Sequence, residues 1–238
     1  MSNIKPRLEA VRILAAINGT ELFGHERANI EVLKTLRSEG AEIRVGVNAS
    51  PDNQVADQLD KLGIAIFPLP FGAQWSIQWV LKHPTYAFTN VLSILRCSRL
   101  FAREIRTFRP THIHIGSPIV YSFISVALAF TRLPVIYRMG DSPPVDSPFN
   151  LRIWRRAMRR TTRLVVNSDF VRRSVLAVIP DGNRPGWMSA IYNLPPATMT
   201  TSDRIEEVQP LRRQSLLYVG AISRHKGLMD LVQAFGQL

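Results

Sequence analysis

The sequence predicts an α/β fold in which helices cover both faces of a doubly wound, Rossmann-like parallel sheet. Short apolar runs alternate with segments whose apolar residues recur at helical spacing, and the two kinds follow each other closely along the chain. The short runs are apolar at consecutive positions, which is typical of strands buried on both faces. Such alternation of strand and helix favours a parallel sheet over a sandwich or a helical bundle.

The first third of the chain predicts a β-α-β-α-β unit. VRILAAIN is a compact apolar run that stops at Gly19, and the helix after it stops at Gly40. The predicted strands are 11–18, 41–48 and 64–70, and the predicted helices are 25–40 and 55–63.

The same alternation continues to residue 193. The segment 110–131 has no charged side chain and is long enough to span a membrane. Its Gly116, Pro118 and histidines favour instead a strand followed by a helix. The predicted strands are 111–117, 133–139, 162–168 and 186–193, the predicted helices are 75–108, 119–130, 151–163 and 169–177, and 141–148 is a predicted loop.

Composition is that of a globular protein with a basic surface. Apolar residues make up 46% of the 238 residues and the net charge is +12, which favours anionic partners. The single Cys97 excludes an internal disulfide framework and favours a reducing compartment. The N-terminal sequence is not typical of a signal peptide, so we expect a cytoplasmic protein.

The C-terminal part of the chain predicts a second structural unit. A polar, proline-containing stretch without periodicity ends where LLYVGAISRHKGLMDLVQAF begins a strand, a basic loop and a helix. We therefore predict a domain at 1–195, a linker at 196–214 and the start of a second Rossmann-like domain at 215–238.

FGHER (23–27) lies between the first strand and its helix, at the carboxyl edge where open α/β sheets bind ligands. Free N–H groups at a helix start suit an anion, and Gly19 and Gly24 allow a close approach to the backbone. An ordinary strand-to-helix turn, with Glu26 placed favourably at the helix N-terminus, explains the same residues. The spacing leaves both interpretations open.

HIHIGSP places His112 and His114 on one face of a strand, because side chains alternate along it. Two histidines could begin a metal site, but no third ligand is evident, so we predict no metal. We expect His112 to be buried and hydrogen-bonded, and His114, Gly116 and Ser117 to lie near the mouth of the cleft.

Two sets of arginines recur at helical spacing. Such a set can form a continuous basic stripe that contacts an anionic membrane, or an ordinary solvated surface, and both interpretations remain open. Six arginines without an intervening carboxylate repel one another, which is unusual for a solvated surface. Neither set lies in a nucleic-acid-binding motif, so we expect no nucleic acid. The sets are Arg152, Arg155, Arg156, Arg159, Arg160 and Arg163, and Arg96, Arg99, Arg103 and Arg106.

GAISRHKG (220–227) is a weak candidate for a phosphate loop. His225 and Gly227 stand where a Walker loop needs glycine and a hydroxyl residue, so that motif is excluded. Gly220 at a strand end and Lys226 at a helix start remain compatible with a diphosphate contact, and also with a plain turn.

Several of these segments together resemble the retaining glycosyltransferases of family 4, which have the two-domain GT-B fold. FGHER keeps Gly24, Glu26 and Arg27 of the family's Gly-Gly-Ala-Glu-Arg loop, and PTHIHIGSP is similar to its Pro-Asp-Ile-Val-His-Ala-His-Ser-Pro. LPVIYRMGD, RLVVNSDFVRRSVL and IYNLPP resemble the segments that follow. YVGAISRHKGLMDLVQAF is the most specific match, similar to the YVGRLSPEKGVDDLIEAF that opens the family's second domain.

The resemblance implies transfer of a sugar, with retention, from a nucleotide-diphosphate-sugar, without a metal or other cofactor. The first domain would bind a glycan or lipid-linked acceptor, in cell-envelope polysaccharide synthesis at the inner face of the membrane. Donor phosphates would contact Lys226, Arg224 and Gly220. Residues of the acceptor cleft would be Gly24, Glu26, Arg27, His114 and Ser117.

Three positions depart from the family pattern. Ala221 replaces the arginine after the glycine, and Arg224 could take over its role from elsewhere in the loop. The histidine after the fifth strand has no counterpart, and Asp141 is a candidate for its hydrogen-bonding role. The family's paired glutamates have no counterpart before Leu238, so the catalytic residues are not identified.

Two hypotheses follow from the sequence. In the first, the chain is the N-terminal portion of such a glycosyltransferase, with its second domain truncated after one strand and helix, and it is inactive alone. In the second, it is a non-catalytic basic Rossmann-like module that docks on an anionic membrane or a partner protein. An in-frame continuation after codon 238, on the order of 150 residues long, would support the first.

Overall fold

The structure is a computed structural model that describes residues 8–72, 84–179, 186–193, 218 and 227–236. The chain divides into two compact units, Met1–Asn193 and Leu194–Leu238. The predicted linker, 196–214, lies outside the described residues, so the predicted domain bounds remain predictions.

Seven parallel strands form a single sheet in the first unit, as the sequence predicts. They are β1 (Arg12–Ile17), β2 (Glu42–Asn48), β3 (Ala65–Leu69), β4 (His112–Ile115), β5 (Val135–Met139), β6 (Arg163–Val166) and β7 (Met188–Ala190). Their order across the sheet is β3-β2-β1-β4-β5-β6-β7. The chain builds outward from β1 to β3 and then crosses back to β4, on the other side of β1. Carboxyl ends at such a reversal flank a crevice that binds ligands.

Helices cover both faces of this sheet. The described helices of the first unit are α1 (Gly24–Ser38), α2 (Gln54–Lys61), α3 (Pro84–Phe108), α4 (Pro118–Ala129), α5 (Pro148–Arg160) and α6 (Asp169–Val178). Buried residues of α1 and α2 form one hydrophobic cluster. Those of α3 to α6 form a second. The two clusters lie on opposite faces, which makes the sheet doubly wound.

Strand β1 lies at the centre of both clusters. Its side chains alternate, so that Ala15 packs with Ile30 and Leu33 of α1, while Leu14 packs with Phe101 of α3. Because both faces are covered, no position of the strand interior is exposed to water. This explains why the strand is an unbroken apolar run in the sequence.

The uncharged segment 110–131 forms β4 and the 12-residue α4. Ser117 accepts a hydrogen bond from Val120 N, and Pro118 occupies the first turn, so the helix starts where capping rules place it. Within the described parts of the chain, no helix is both long and apolar enough to cross a membrane.

Most predicted elements agree with the structure to within a few residues, and positions 75–83 of the helix predicted at 75–108 lie outside the described residues. Among the described ends, the largest difference concerns α5. The sequence predicts this helix at 151–163, whereas the helix is Pro148–Arg160. Ser147 accepts a hydrogen bond from Asn150 N and Pro148 occupies the first turn, so the helix begins inside the predicted loop. At the other end Thr161 is extended, and Arg163 belongs to β6.

The second unit contains one described helix, α7 (Leu228–Phe235). Gly227 precedes it with a φ of 71°, a left-handed conformation that favours glycine. Met229, Val232 and Phe235 are exposed on this helix. The strand and loop predicted before it lie outside the described residues.

Replacing Ser147 by alanine should lower the free energy of unfolding by about 1 kcal/mol, because α5 loses its N-cap hydrogen bond. Urea titration measures this change. Ser142→Ala is the matched control, since Ser142 is exposed in the same loop. Equal stability of the two variants would contradict the capping role.

Candidate functional site

The half-buried side chain of His25, the second residue of α1, lies between the carboxyl ends of β4 and β5. An ideal Cβ built on Gly116 would lie 3.3 Å from His25 Nε2, and one on Gly140 would lie 3.6 Å from His25 Nδ1. The two glycines therefore leave the room that the imidazole occupies. This position is beside the reversal of strand order, so His25 marks the centre of the candidate site.

Asn29, one helical turn after His25, is fully buried and fastens α1 to β4. Its Nδ2 donates to the carbonyl of His25 at 3.0 Å, and its Oδ1 lies 3.2 Å from His114 Nε2. Because the amide nitrogen is engaged as the donor, the oxygen is the acceptor, and His114 Nε2 carries the proton. The N-terminal turn of α1 is thus held in place by the sheet.

His114 is the buried histidine of β4, where the sequence predicts His112 in that role. Burial, as the largest cause, and the charges of Arg138 and His25 together lower the pKa of His114 from 6.5 to about 4. The imidazole is therefore neutral at pH 7. His112 is only half-buried, at the amino end of the strand, where its Nδ1 lies 2.9 Å from Thr111 Oγ1.

The loop before α1 is held by the two charged residues that the sequence predicts in the cleft. Glu26 packs against Gly19 so closely that a Cβ on the glycine would lie 2.4 Å from the carboxylate oxygen Oε1. Arg27 Nε donates to the carbonyl of Leu22 at 2.9 Å. Gly19 thus accommodates Glu26, and both charged side chains fix the loop that leads into α1.

The N-terminus of α1 is open. Phe23 stands at the N-cap and makes no side-chain hydrogen bond to the helix. A Cβ on Gly24 would meet nothing within 4 Å. The other four N-cap residues described in this unit each accept such a bond: Asn53, Ser117, Ser147 and Ser168. The first N–H groups of α1 therefore remain available to an anion.

Side-chain hydrogen bonds join the strand ends around His25. Ser117 Oγ donates to Asn18 Oδ1 at 3.0 Å, which connects the end of β1 to the start of α4. Asn167 Nδ2 donates to the carbonyl of Gly140 at 3.1 Å, which connects β6 to β5. Ser117 lies at the carboxyl edge of the sheet, where the sequence predicts it. There it caps α4 and donates a hydrogen bond to Asn18.

Arg138 and Asn193 are site residues that sequence reasoning missed. Arg138 lies in β5 with 5% of its surface exposed, and burial lowers the pKa of its guanidinium. Its Nη2 donates to the side-chain oxygen of Asn193, after β7. A charged residue within the apolar run LPVIYRM was the available signal, because arginine is rarely buried. The predicted Asp141 is exposed in the bend after Gly140.

The predicted donor-phosphate residues Lys226, Arg224 and Gly220 lie outside the described residues. Across the described ranges, no group of three histidine, cysteine or carboxylate side chains is placed to hold a metal ion.

The predicted six-arginine stripe is divided by the structure. Arg160 is half-buried, and its guanidinium donates to the carbonyls of Leu128, Thr131 and Leu133 at the end of α4. Arg163 lies in β6, where it packs over Gly186. The four arginines that share the exposed face of α5 are Arg152, Arg155, Arg156 and Arg159.

Comparison with known proteins gives a family and a fold. The glycosyl transferase 4-like domain family matches residues 23–184. No curated protein matches the chain. The structure of Anabaena Alr3699/HepE in complex with UDP and glucose is 20% identical with a TM-score of 0.54, over 77% of this chain and 44% of that one.

Two further solved structures have the same fold. A glycosyltransferase from Rickettsia africae is 18% identical with a TM-score of 0.51, over 79% of this chain and 47% of its own. MnaA of S. aureus, solved with UDP, is 8% identical with a TM-score of 0.53, over 76% and 44%. The chain spans less than half the length of these structures.

His114 should make the stability of the protein depend on pH. The unfolded chain binds a proton near pH 6.5, but the folded His114 does so only near pH 4. Its contribution is therefore complete above pH 6.5 and is lost as the pH falls towards 4. Between pH 7.5 and 5, the wild type should lose about 2 kcal/mol more of its unfolding free energy than His114→Gln.

Urea titrations of both proteins at the two pH values measure this difference. His112→Gln is the matched control, because it removes the other histidine of β4. The same pH dependence in His114→Gln and wild type would show that His114 is not the group responsible.

Proposed function

Because the chain belongs to the glycosyl transferase 4-like domain family, we propose that it forms part of a GT-B glycosyltransferase that uses a nucleotide-diphosphate-sugar donor. The observation that carries this proposal is the site around His25, at the reversal of strand order, within the matched residues 23–184. The uridine nucleotides in the Anabaena and S. aureus structures support a UDP-sugar as the donor.

The proposed reaction transfers the sugar with retention and without a metal. The bond between the anomeric carbon and the diphosphate oxygen breaks, the acceptor oxygen bonds to the same face, and its proton passes to the diphosphate. Negative charge grows on the leaving diphosphate, so hydrogen-bond donors and positive charges that are already in position accelerate the step. From the sequence, we assign this role to Lys226, Arg224 and Gly220.

His25 is the residue we assign to substrate contact. Its ring lies where the backbones after β4 and β5 leave space, one residue beyond the open helix start at Gly24. In this proposal its imidazole forms a hydrogen bond with a hydroxyl group of one of the reacting sugars. Asn29 positions His25 because its amide donates a hydrogen bond to the His25 carbonyl. The neutral His114 in turn holds Asn29, and with it helix α1, against β4. Gly24, Glu26, Arg27 and Ser117 shape the acceptor side.

Replacing His25 by alanine should lower kcat/KM for sugar transfer by about 100-fold, the usual loss when one polar contact to a transition state is removed. The assay uses protein produced from its complete coding sequence, labelled UDP-glucose and other nucleotide-sugars, and membrane lipid extract as acceptor. The configuration of the product, read by NMR, tests retention.

His112→Ala is the matched control, because His112 lies at the opposite end of β4, and its activity should equal that of the wild type. Absence of transfer from every nucleotide-sugar offered would refute the proposed function.

We further propose that the acceptor is a glycan or lipid-linked carrier of envelope polysaccharide synthesis, met at the cytoplasmic face of the membrane. Helices α3, α4 and α5 pack into one cluster on one face of the sheet, so their outer sides form one side of the unit. Phe88, Val91 and Leu95 are exposed on α3 at helical spacing, with 72% of Phe88 accessible.

Exposed arginines lie on α3 and α5, two helices whose buried residues belong to this same cluster. None of them forms a salt bridge with another described residue. Each arginine near an anionic leaflet contributes about 1 kcal/mol of attraction. The same surface is the observation that favours the second candidate, a non-catalytic module that docks on anionic membranes. The arginines are Arg96, Arg99, Arg103 and Arg106 of α3 and Arg152, Arg155, Arg156 and Arg159 of α5.

Removing two arginines from α5, by Arg155→Ala with Arg159→Ala, should weaken binding to anionic vesicles by roughly 30-fold, which is about 2 kcal/mol. Co-sedimentation with vesicles that contain phosphatidylglycerol measures this binding. Lys34→Ala with Lys61→Ala removes the same charge from α1 and α2, on the other face, and should change it little. Equal losses for the two double variants would contradict a specific docking side.

A further inference from the structure

Arg138 carries a buried positive charge that no described carboxylate balances. Only 5% of its surface is exposed, and the hydrogen bond of its guanidinium goes to the neutral side chain of Asn193. A guanidinium has five N–H donors, and burying a cation without a counter-ion is unfavourable. Among the described residues, the side chain of Asn193 accepts a hydrogen bond from one of these donors.

Other arginines that are partly buried in the same unit have balanced surroundings. Arg44 pairs with Glu104 at 2.7 Å. Arg160 donates to carbonyls at the end of α4. Arg12 pairs with Glu42 at 2.9 Å. Arg138 differs from all three, because it is the most deeply buried of them and, among the described residues, has neither an anion nor a set of carbonyls as partners.

Arg138 also lies beside the candidate site. Tyr137 pairs with Ile115 in the sheet register, so Arg138 is level with Gly116, the glycine that makes room for His25. Arg138 and His25 both act electrostatically on His114, which places the two side chains around the same buried group. A guanidinium, an imidazole and an open helix start therefore gather at one edge of the sheet.

We propose that Arg138 binds an oxyanion of the acceptor substrate, a phosphate or a carboxylate carried by the sugar or its lipid carrier. This inference rests on the proposed function, in which the first unit holds the acceptor and Lys226 and Arg224 contact the donor diphosphate. A guanidinium matches both oxyanions with two parallel hydrogen bonds. The acceptor would then be acidic, and its charge would balance the buried cation.

Binding by the purified chain tests the assignment with three probes: farnesyl phosphate, glucuronate and glucose. We expect calorimetry to show one of the two anions binding the wild type, and glucose not binding. Arg138→Met should weaken the binding of that anion at least tenfold, and Arg138→Lys should weaken it less. Which anion binds distinguishes a phosphorylated acceptor from a uronic-acid acceptor.

Thermal unfolding separates ligand binding from a structural role. Arg138→Met should leave the Tm unchanged or raise it, because a buried charge that no described carboxylate balances is removed and the exposed Asn193 turns to water. Arg160→Met is the matched control and should lower the Tm without changing anion affinity. A wild type that binds neither anion, or an Arg138→Met variant of unchanged affinity, would overturn the proposal.

Transfer assays with acidic and neutral acceptors distinguish this inference from the proposed function. Arg138→Met should lose at least tenfold activity towards the acidic acceptor and keep its activity towards the neutral one. Equal losses for both acceptors, or none, would refute the role of Arg138 while transfer itself stands. Binding that depends on Arg138 in a protein that transfers no sugar would refute both the proposed function and the acceptor role.

Discussion

The hydrogen bond between the buried side chains of His114 and Asn29 is the contact on which the candidate site depends. It fixes α1 against β4, on the two sides of the point where the strand order reverses. That attachment sets the orientation of the first turn of α1. It also places His25 between the two glycines, Gly116 and Gly140. The site is therefore a property of the packed sheet and helix together.

Burial acts differently on the two basic side chains under this edge. Imidazole has an ordinary pKa close to neutrality, so burial leaves His114 uncharged, able to donate a hydrogen bond without adding charge. Guanidinium has so high a pKa that Arg138 stays charged although burial lowers it. The same environment thus produces one neutral contact that holds the helix and one side chain that keeps its charge.

Much of the fold follows from the sequence, because strands buried on both faces and amphipathic helices leave clear periodicities. The sequence also predicts the positions of Ser117 and Gly24 at the carboxyl edge of the sheet, because Ser117 ends a predicted strand and Gly24 directly precedes a predicted helix. Asn29 and Arg138 were not found, because their partners are fixed by sheet register and by contacts between distant segments. The arginine stripe was overextended at Arg163, because spacing alone could not locate the end of the helix at Thr161.

The contacts that build the site join segments that are far apart in the chain, which has a consequence for folding. Asn29 and His114 are 85 residues apart, and Asn18 and Ser117 are 99 apart. Bringing such segments together has a large loop-closure entropy cost, so contacts of this kind form slowly. We therefore expect the β1-β2-β3 half of the sheet to assemble first and the ligand crevice to appear only when β4 joins it. Ligands would then recognise the finished fold and give little help to its early intermediates.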